Sequence, residues 1–430
     1  MYTRGTGLQL GKKEQEEEKA LKYFNDLTSE EVEAIFCTPP SEFHNRSPKS
    51  ILAYAIGAAL YMPATRSEVA EEIKNGKHEG LTTVMLDLED AIGDQQVGQA
   101  EQLLTQQLLQ LLSYVRTGVM SEQSLPLLFV RVRSVEQLER LLNGLGESLS
   151  LLTGFVLPKF SSDNGRAYFE LIAGYNRGKA ERNIPVLYGL PILESSNIIY
   201  RETRWNELLL IKEILDQYQE YVLNVRIGAT DFSSLFGLRR SPDITIYEIA
   251  VIRDCIADII NLFGRVDSDY VISGPVWEYF SHRERVFKPQ LRVSPFEDAF
   301  GKQGRNLRMD FISDAVDGLI REVMMDKENG IIGKTIIHPS HIKPVQAMYA
   351  VTHEEYMDAL AIVERNDGSL GVFKSTYANK MNEIKPHLNW AHRIINRSKV
   401  YGVLHEQQHF VSLLPNHENT STAYPGAVQR

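Results

Sequence analysis

Four carboxylates fall within nine residues, LDLEDAIGD: Asp87, Glu89, Asp90 and Asp94, close behind the apolar run TTVML. Side-by-side acids repel unless a cation or a shared proton offsets them. Two further acids close apolar segments, Glu194 behind PVLYGLPIL and Asp231 behind NVRIGAT. Two carboxylates from neighbouring strands suit Mg²⁺, with Mn²⁺ as a substitute, because such ions take oxygen ligands and keep several waters. His338, in IIHPS, has no second His or Cys at ligand spacing, which disfavours zinc. A divalent ion held by Glu194 and Asp231 could chelate a 2-keto acid or an enolate and stabilise its negative charge. Arg131, in LLFVRVR, could add a planar fork of donors to that oxyanion or to a substrate carboxylate. Glu89 and Asp90 could orient water at the cation and move a proton. Asp87 has a plainer alternative, bonding the backbone amides of the next loop.

These residues need a scaffold that brings strand ends together. Strands are expected at AYAIGAALYMP, TTVMLDLE, PLLFVRVR, TGFVLPKF, PVLYGLPILE, NVRIGAT, SDYVIS and KTIIHP. Amphipathic stretches such as EQLLTQQLLQLLSYV, SVEQLERLLNGL and WNELLLIKEILDQY lie between them. Continuous apolar strands alternating with helices imply a parallel sheet covered by helices. Eight such units fit an α/β fold, the (β/α)8 TIM barrel, with a doubly wound open sheet as the alternative. Neither GxGxxG nor a Walker A sequence is present, which weakens the nucleotide-binding version of the open sheet. Barrel enzymes keep their chemistry at the C-terminal strand ends. In order, those ends carry Arg66, the acids of DLED, Arg131 with Arg133, Lys159, Glu194, Asp231, Glu278 and His338. Arg66, Arg131, Lys159 and His338 are the candidate substrate contacts, with Arg66 and Lys159 equally readable as ion-pair partners.

The barrel is expected over 51–345, behind an N-terminal helical arm over 1–50. In the arm, KKEQEEEKALKYFNDL reads as a solvated helix and Ser29 as the N-cap of the next. The segment 281–310 breaks the rhythm. Its basic and aromatic residues read as an insertion near the barrel mouth: a lid over an anionic substrate, a surface loop or an oligomer contact. A C-terminal helical extension follows over 346–412, and 413–430 reads as a flexible tail. A net charge of −10 argues against nucleic acid as a partner. Two isolated cysteines, no signal-like start and no run of about 18 apolar residues point to a cytoplasmic protein away from membranes.

Taken in order, DLEDA, VRV, VLPK, the Glu after LPIL, GATDF and GKTIIHPSHIKPV resemble the HpcH/HpaI aldolase and citrate lyase beta-subunit superfamily, from about Leu60 to Val345. The resemblance implies a TIM barrel that makes or breaks a carbon–carbon bond through Mg²⁺ and an enolate. It implies Glu194 and Asp231 as metal ligands, Arg131 on the substrate's carboxylate or carbonyl, and Glu89 and Asp90 beside the metal waters. It also implies a homo-oligomer, a trimer or hexamer. Where relatives continue as ETARG, this chain reads ESSNIIYRETR. That departure, the 281–310 insertion and the N-terminal arm resemble a divergent branch, the C–C bond lyase-like proteins of stress and tellurium-resistance operons, and leave coenzyme A thioester use open. The expected function is a Mg²⁺-dependent lyase or aldolase acting on a small anionic metabolite, a 2-keto acid or acyl thioester. The alternatives are a thioester hydrolase or condensing enzyme on the same barrel, and a non-catalytic metabolite-binding component of an operon complex.

Overall fold

Eight apolar segments pair side by side because each is buried on both faces. They are β1 Ala58–Pro63, β2 Thr83–Asp87, β3 Leu127–Arg131, β4 Leu152–Leu157, β5 Tyr188–Leu193, β6 Val225–Ile227, β7 Ile272–Ser273 and β8 Lys334–Ile336. The structure is a computed structural model and describes residues 20–177, 184–268, 270–280 and 316–414. All pairings in the sheet are parallel, in the order β7-β6-β5-β4-β3-β2-β1-β8. A parallel bridge between Gly274 and Lys334 joins its two edges, so the sheet is a nearly closed barrel. Helices follow the strands in turn: α1 Val69–Lys74, α2 Val97–Arg116, α3 Val135–Gly144, α4 Gly165–Asn176, α5 Arg201–Gln217, α6 Ala250–Phe263, α7 Asp317–Glu328 and α8 Ile342–Tyr349. Each turns an apolar stripe to the sheet, as α2 does with Leu104, Leu108 and Leu111. The TIM barrel expected from the strand–helix alternation is the fold observed.

The arm departs from expectation. Ala20–Leu27 is not helical: Leu21, Tyr23 and Phe24 are buried, and Tyr23 stacks on Tyr401 at 4.5 Å. Burial of these three apolar residues outweighs the local helical preference of the charged run before them. The helix Ser29–Ile35 is capped by Thr28, in a capping box with Glu31, rather than by Ser29. AYAIGAALYMP is no single strand either. Lys49–Ala55 is helical, and Gly57 breaks the chain before β1 at φ +48°, where a Cβ would lie 1.9 Å from the Tyr23 hydroxyl. No helix among the described residues is long and apolar enough to cross a membrane.

Behind the barrel, α9 His353–Glu364 and α10 Ile384–Tyr401 pack on a small core of Val351, Ala359, Ile362, Ala391, Ile394 and Val403. Leu413 and Leu414 are buried in the main core, so the packed chain runs past the expected tail boundary at 413. The expected insertion at 281–310 lies outside the described residues, as do 1–19 and 415–430.

Candidate active site

Strand β2 ends at Asp87, and the chain then turns sharply. Asp87 shapes that turn by accepting from the amides of Glu89 (2.9 Å) and Ala91 (3.3 Å). Arg133 fastens the same loop through the carbonyls of Leu88, Glu89 and Ile92. On the next strand Arg131 grips Asp87 with two parallel bonds, Nε–Oδ1 2.7 Å and Nη2–Oδ2 2.6 Å. Its Nη1 reaches Glu89 (2.9 Å) and Asp90 (3.1 Å). The crowded acids of LDLED are thus held by one arginine, with Lys159 on the other oxygen of Glu89. Glu89 is pushed up by burial against the pull of Arg131 and Lys159. Asp90 also loses solvent, but its bond with Glu89 and the nearby Arg131 and Lys159 bring it below the usual range.

Strand β4 ends in a turn that puts Lys159 at φ +47°, a conformation that costs a non-glycine residue about 1–3 kcal/mol and clusters at functional sites. The turn aims the Lys159 amide at Glu194 Oε1, 2.7 Å away. Glu194 follows β5 and is buried. Beside it stands Asp231, in the short helix Ala229–Ser234 after β6. Burial and the Asp231 charge push Glu194 up to about 8, while burial and the Asp90 charge raise Asp231. Room for this pair exists because residue 228 lacks a side chain: a Cβ on Gly228 would lie 2.1 Å from Glu194 Oε2.

Arg131, Asp90, Glu194 and Asp231 share one cavity of about 380 Å³, with Tyr61 and Arg226 also in its wall. Glu89 and Lys159 adjoin it through Arg131, Asp90 and Glu194. Two expected contacts turn elsewhere. Arg66 pairs with Glu72 on α1, where Lys77 and His78 also converge, and does not line the cavity. His338 stacks on Phe280 at 4.5 Å, its Nδ1 engaged with Ser340. Glu278 is held by Arg240. A larger hollow of about 610 Å³ lies where loops enter β7 and β8, lined by Lys327, Glu355 and Arg397, but holds none of the strand-end acids.

The strand-end reasoning missed Arg226, at the centre of β6. Its Nη2 donates to Thr335 Oγ1 at 2.6 Å, and its guanidinium lies 6.0 Å from the centroid of the Tyr61 ring that Arg131 also meets, at 5.2 Å. The signal was available: an arginine between Val225 and Ile227, in a strand buried on both faces.

Two adjacent carboxylates beside arginines in a barrel mouth have the chemistry to take a divalent cation and an anionic ligand. Among the described residues no group of three or more His, Cys, Asp or Glu is placed to hold a metal ion. The family of C–C bond lyases of the TIM-barrel fold matches residues 50–403, and the chain belongs to it. Among solved structures it resembles a citrate lyase from Burkholderia xenovorans LB400 at TM-score 0.53 and 13% identity, covering 84% of this chain and 96% of that one. It also resembles protein CitE from Mycobacterium tuberculosis in complex with magnesium, acetoacetate and coenzyme A, at TM-score 0.47 and 18% identity, covering 80% and 99%. No curated protein matches the chain.

Proposed function

We propose that this C–C bond lyase family member is a Mg²⁺-dependent lyase or aldolase acting through an enolate of a 2-keto acid or acyl thioester. The supporting observation is the Glu194–Asp231 pair: a buried and a half-buried carboxylate, both raised by loss of solvent and by neighbouring acids, at the wall of a cavity with Arg131 beside it. A pair of this kind fits a hard cation that keeps several waters, with Mn²⁺ as a substitute. Bound there, the cation would neutralise both carboxylates and supply positive charge to the oxygen of a developing enolate.

The chain's own groups do the rest. The Lys159 amide fixes the Glu194 carboxylate. Asp87 uses both oxygens to orient Arg131, which lines the cavity with its Nη1 on Glu89 and Asp90. Asp90 lines the cavity and is drawn toward its ionised form, so it is the group placed to take a proton from a bound acid. Glu89, fastened by Arg131 and Lys159, positions Asp90, whose amide it bonds at 3.2 Å. A cavity of 380 Å³ accommodates a compact acid or the acyl end of a thioester, with the bulk of coenzyme A outside it.

The test is calorimetric titration of Mg²⁺ and Mn²⁺ into the wild type, Glu194→Gln and Asp231→Asn, with and without pyruvate, oxaloacetate or acetyl-CoA. Each substitution should weaken the metal by about 100-fold or more, one ligand should tighten it, and carbon–carbon cleavage should vanish with it. Unaltered metal affinity in both variants would overturn the assignment.

A further inference from the structure

Five arginines are buried among the described residues: Arg131, Arg204, Arg226, Arg240 and Arg397. Four are paired with carboxylates. Arg131 meets Asp87, Glu89 and Asp90; Arg204 meets Asp254 and Asp258; Arg240 meets Glu278 and Glu322; Arg397 meets Glu355. Arg226 is the exception. It is 1% exposed, and its one hydrogen bond goes to a neutral hydroxyl, that of Thr335. Its Nε and Nη1 are buried without a partner.

A guanidinium cannot shed its charge to escape burial, and an uncompensated buried charge is strongly destabilising. The position of Arg226 shows where compensation would come from. It lines the same cavity as Glu194 and Asp231, but from within β6, five residues before Asp231 and so deeper in the barrel. Arg131 and Arg226 face the same Tyr61 ring, so their guanidiniums lie within about 11 Å of each other, the two centroid distances laid end to end. Arg131 already spends all three of its guanidinium nitrogens on carboxylates of this chain. The donors of Arg226 are the unspent ones.

We propose that Arg226 is the specificity residue of this site. It receives a second acidic group, so the substrate is a compact dianion with its keto-acid head toward Glu194 and Asp231 and its other acid against Arg226. The inference rests on the metal-enolate reading for the head group, but the anion contact can be measured without the metal. A guanidinium takes a carboxylate or a phosphonate by the same planar donors, and a cavity near the small end of the ligand-site range of about 300–1,000 Å³ favours a short molecule.

The test is equilibrium binding of pyruvate, oxaloacetate and 3-phosphonopyruvate to the full chain, in Mg²⁺ and separately in EDTA. The proteins are the wild type, Arg226→Met, Arg226→Lys and Glu194→Gln. The wild type should bind at least one dianion about tenfold to a hundredfold tighter than pyruvate. Arg226→Met should erase that margin by weakening the dianion far more than pyruvate, and Arg226→Lys should restore part of it. The preferred dianion distinguishes a carboxylate from a phosphate-type group. A wild type without the margin, a margin that survives Arg226→Met, or an equal loss for pyruvate would each overturn the proposal. If Arg226→Met does not fold, Arg226→Lys carries the same comparison, since a point charge should bind the dianion less tightly than the fork. If Glu194→Gln leaves Mg²⁺ binding intact, the metal reading fails, and the EDTA series still decides Arg226.

Discussion

The barrel buries two sets of charges, and they are built on opposite principles. At the seam between β7 and β8, Lys334 lies between Glu322 and Asp326, at 2.8 Å from each, with all three inaccessible to solvent. Arg240 adds a second cation to Glu322, the Tyr247 hydroxyl donates to Asp326 at 2.6 Å, and the Ile246 amide donates to Glu322 at 2.7 Å. Each charge there is answered by another. Arg226, lining the cavity, is answered by no opposite charge, only by the Thr335 hydroxyl and the Tyr61 ring. The saturated set holds the seam together, while Arg226 keeps Nε and Nη1 without a partner beside a cavity.

Breaking the saturated set should have the largest effect. Lys334→Met leaves Glu322 and Asp326 facing each other with one cation fewer, and removing one partner of a buried pair costs about 3–5 kcal/mol. Urea unfolding should show that loss. Arg226→Met should leave the midpoint unchanged or raised, because no carboxylate loses its partner. A Lys334→Met protein within 1 kcal/mol of the wild type would remove the contrast.

The second effect is pH-dependent. His341 is fully buried, and its Nε2 faces the Tyr279 carbonyl at 3.1 Å. Burial, with the nearby His338 and Lys334 charges, lowers it from 6.5 to about 4. The unfolded chain therefore takes up this proton first. The stability is present in full above pH 6.5, is lost as pH falls toward 4, and changes no further below that. The shift corresponds to about 3 kcal/mol. His341→Gln should flatten the stability profile between pH 6.5 and 4 by about that amount. Parallel profiles for the two proteins would show that the imidazole does not titrate across the transition.

A third, smaller effect sharpens the contrast at the cavity. Gly228→Ala forces the Glu194 carboxylate to move, since its oxygen lies 2.1 Å from the new Cβ position. Displacing a catalytic group by an ångström can cost about 100-fold in rate. Mg²⁺ affinity and turnover should fall together by tenfold to a hundredfold, and an unchanged Mg²⁺ titration would mean that Glu194 has room to relax.

These residues also show which parts of the architecture were readable beforehand. The strands were visible because both faces are buried and the apolar runs are continuous, and the strand-end rule brought Arg131, Asp90, Glu194 and Asp231 to one wall. It failed where the path beyond the strand decides direction. His338 comes two residues after β8 and turns onto Phe280. Nothing local signals that stacking, which depends on a segment far away in sequence. The rule also looked past strand interiors, where Arg226 sits. The amide of Lys159, placed by a positive φ that no pattern of side chains announces, could not have been foreseen as the support of Glu194.

Arg66 supplies the smallest effect and marks the edge of the site. It was chosen for ending β1, yet its guanidinium lies on Glu72, and its side chain is 41% exposed. Glu72 keeps Lys77 at 2.7 Å and His78 at 3.3 Å when Arg66 is removed, so its charge is never left alone. An ion pair open to water on one side contributes about 0–1 kcal/mol. Arg66→Ala should therefore shift the urea midpoint by less than about 1 kcal/mol of stability and leave dianion and Mg²⁺ affinities at wild-type values. Loss of dianion affinity in Arg66→Ala, with stability intact, would instead mean that the arginine swings from Glu72 to the ligand, and the anion would then be shared between the rim and the floor of the cavity.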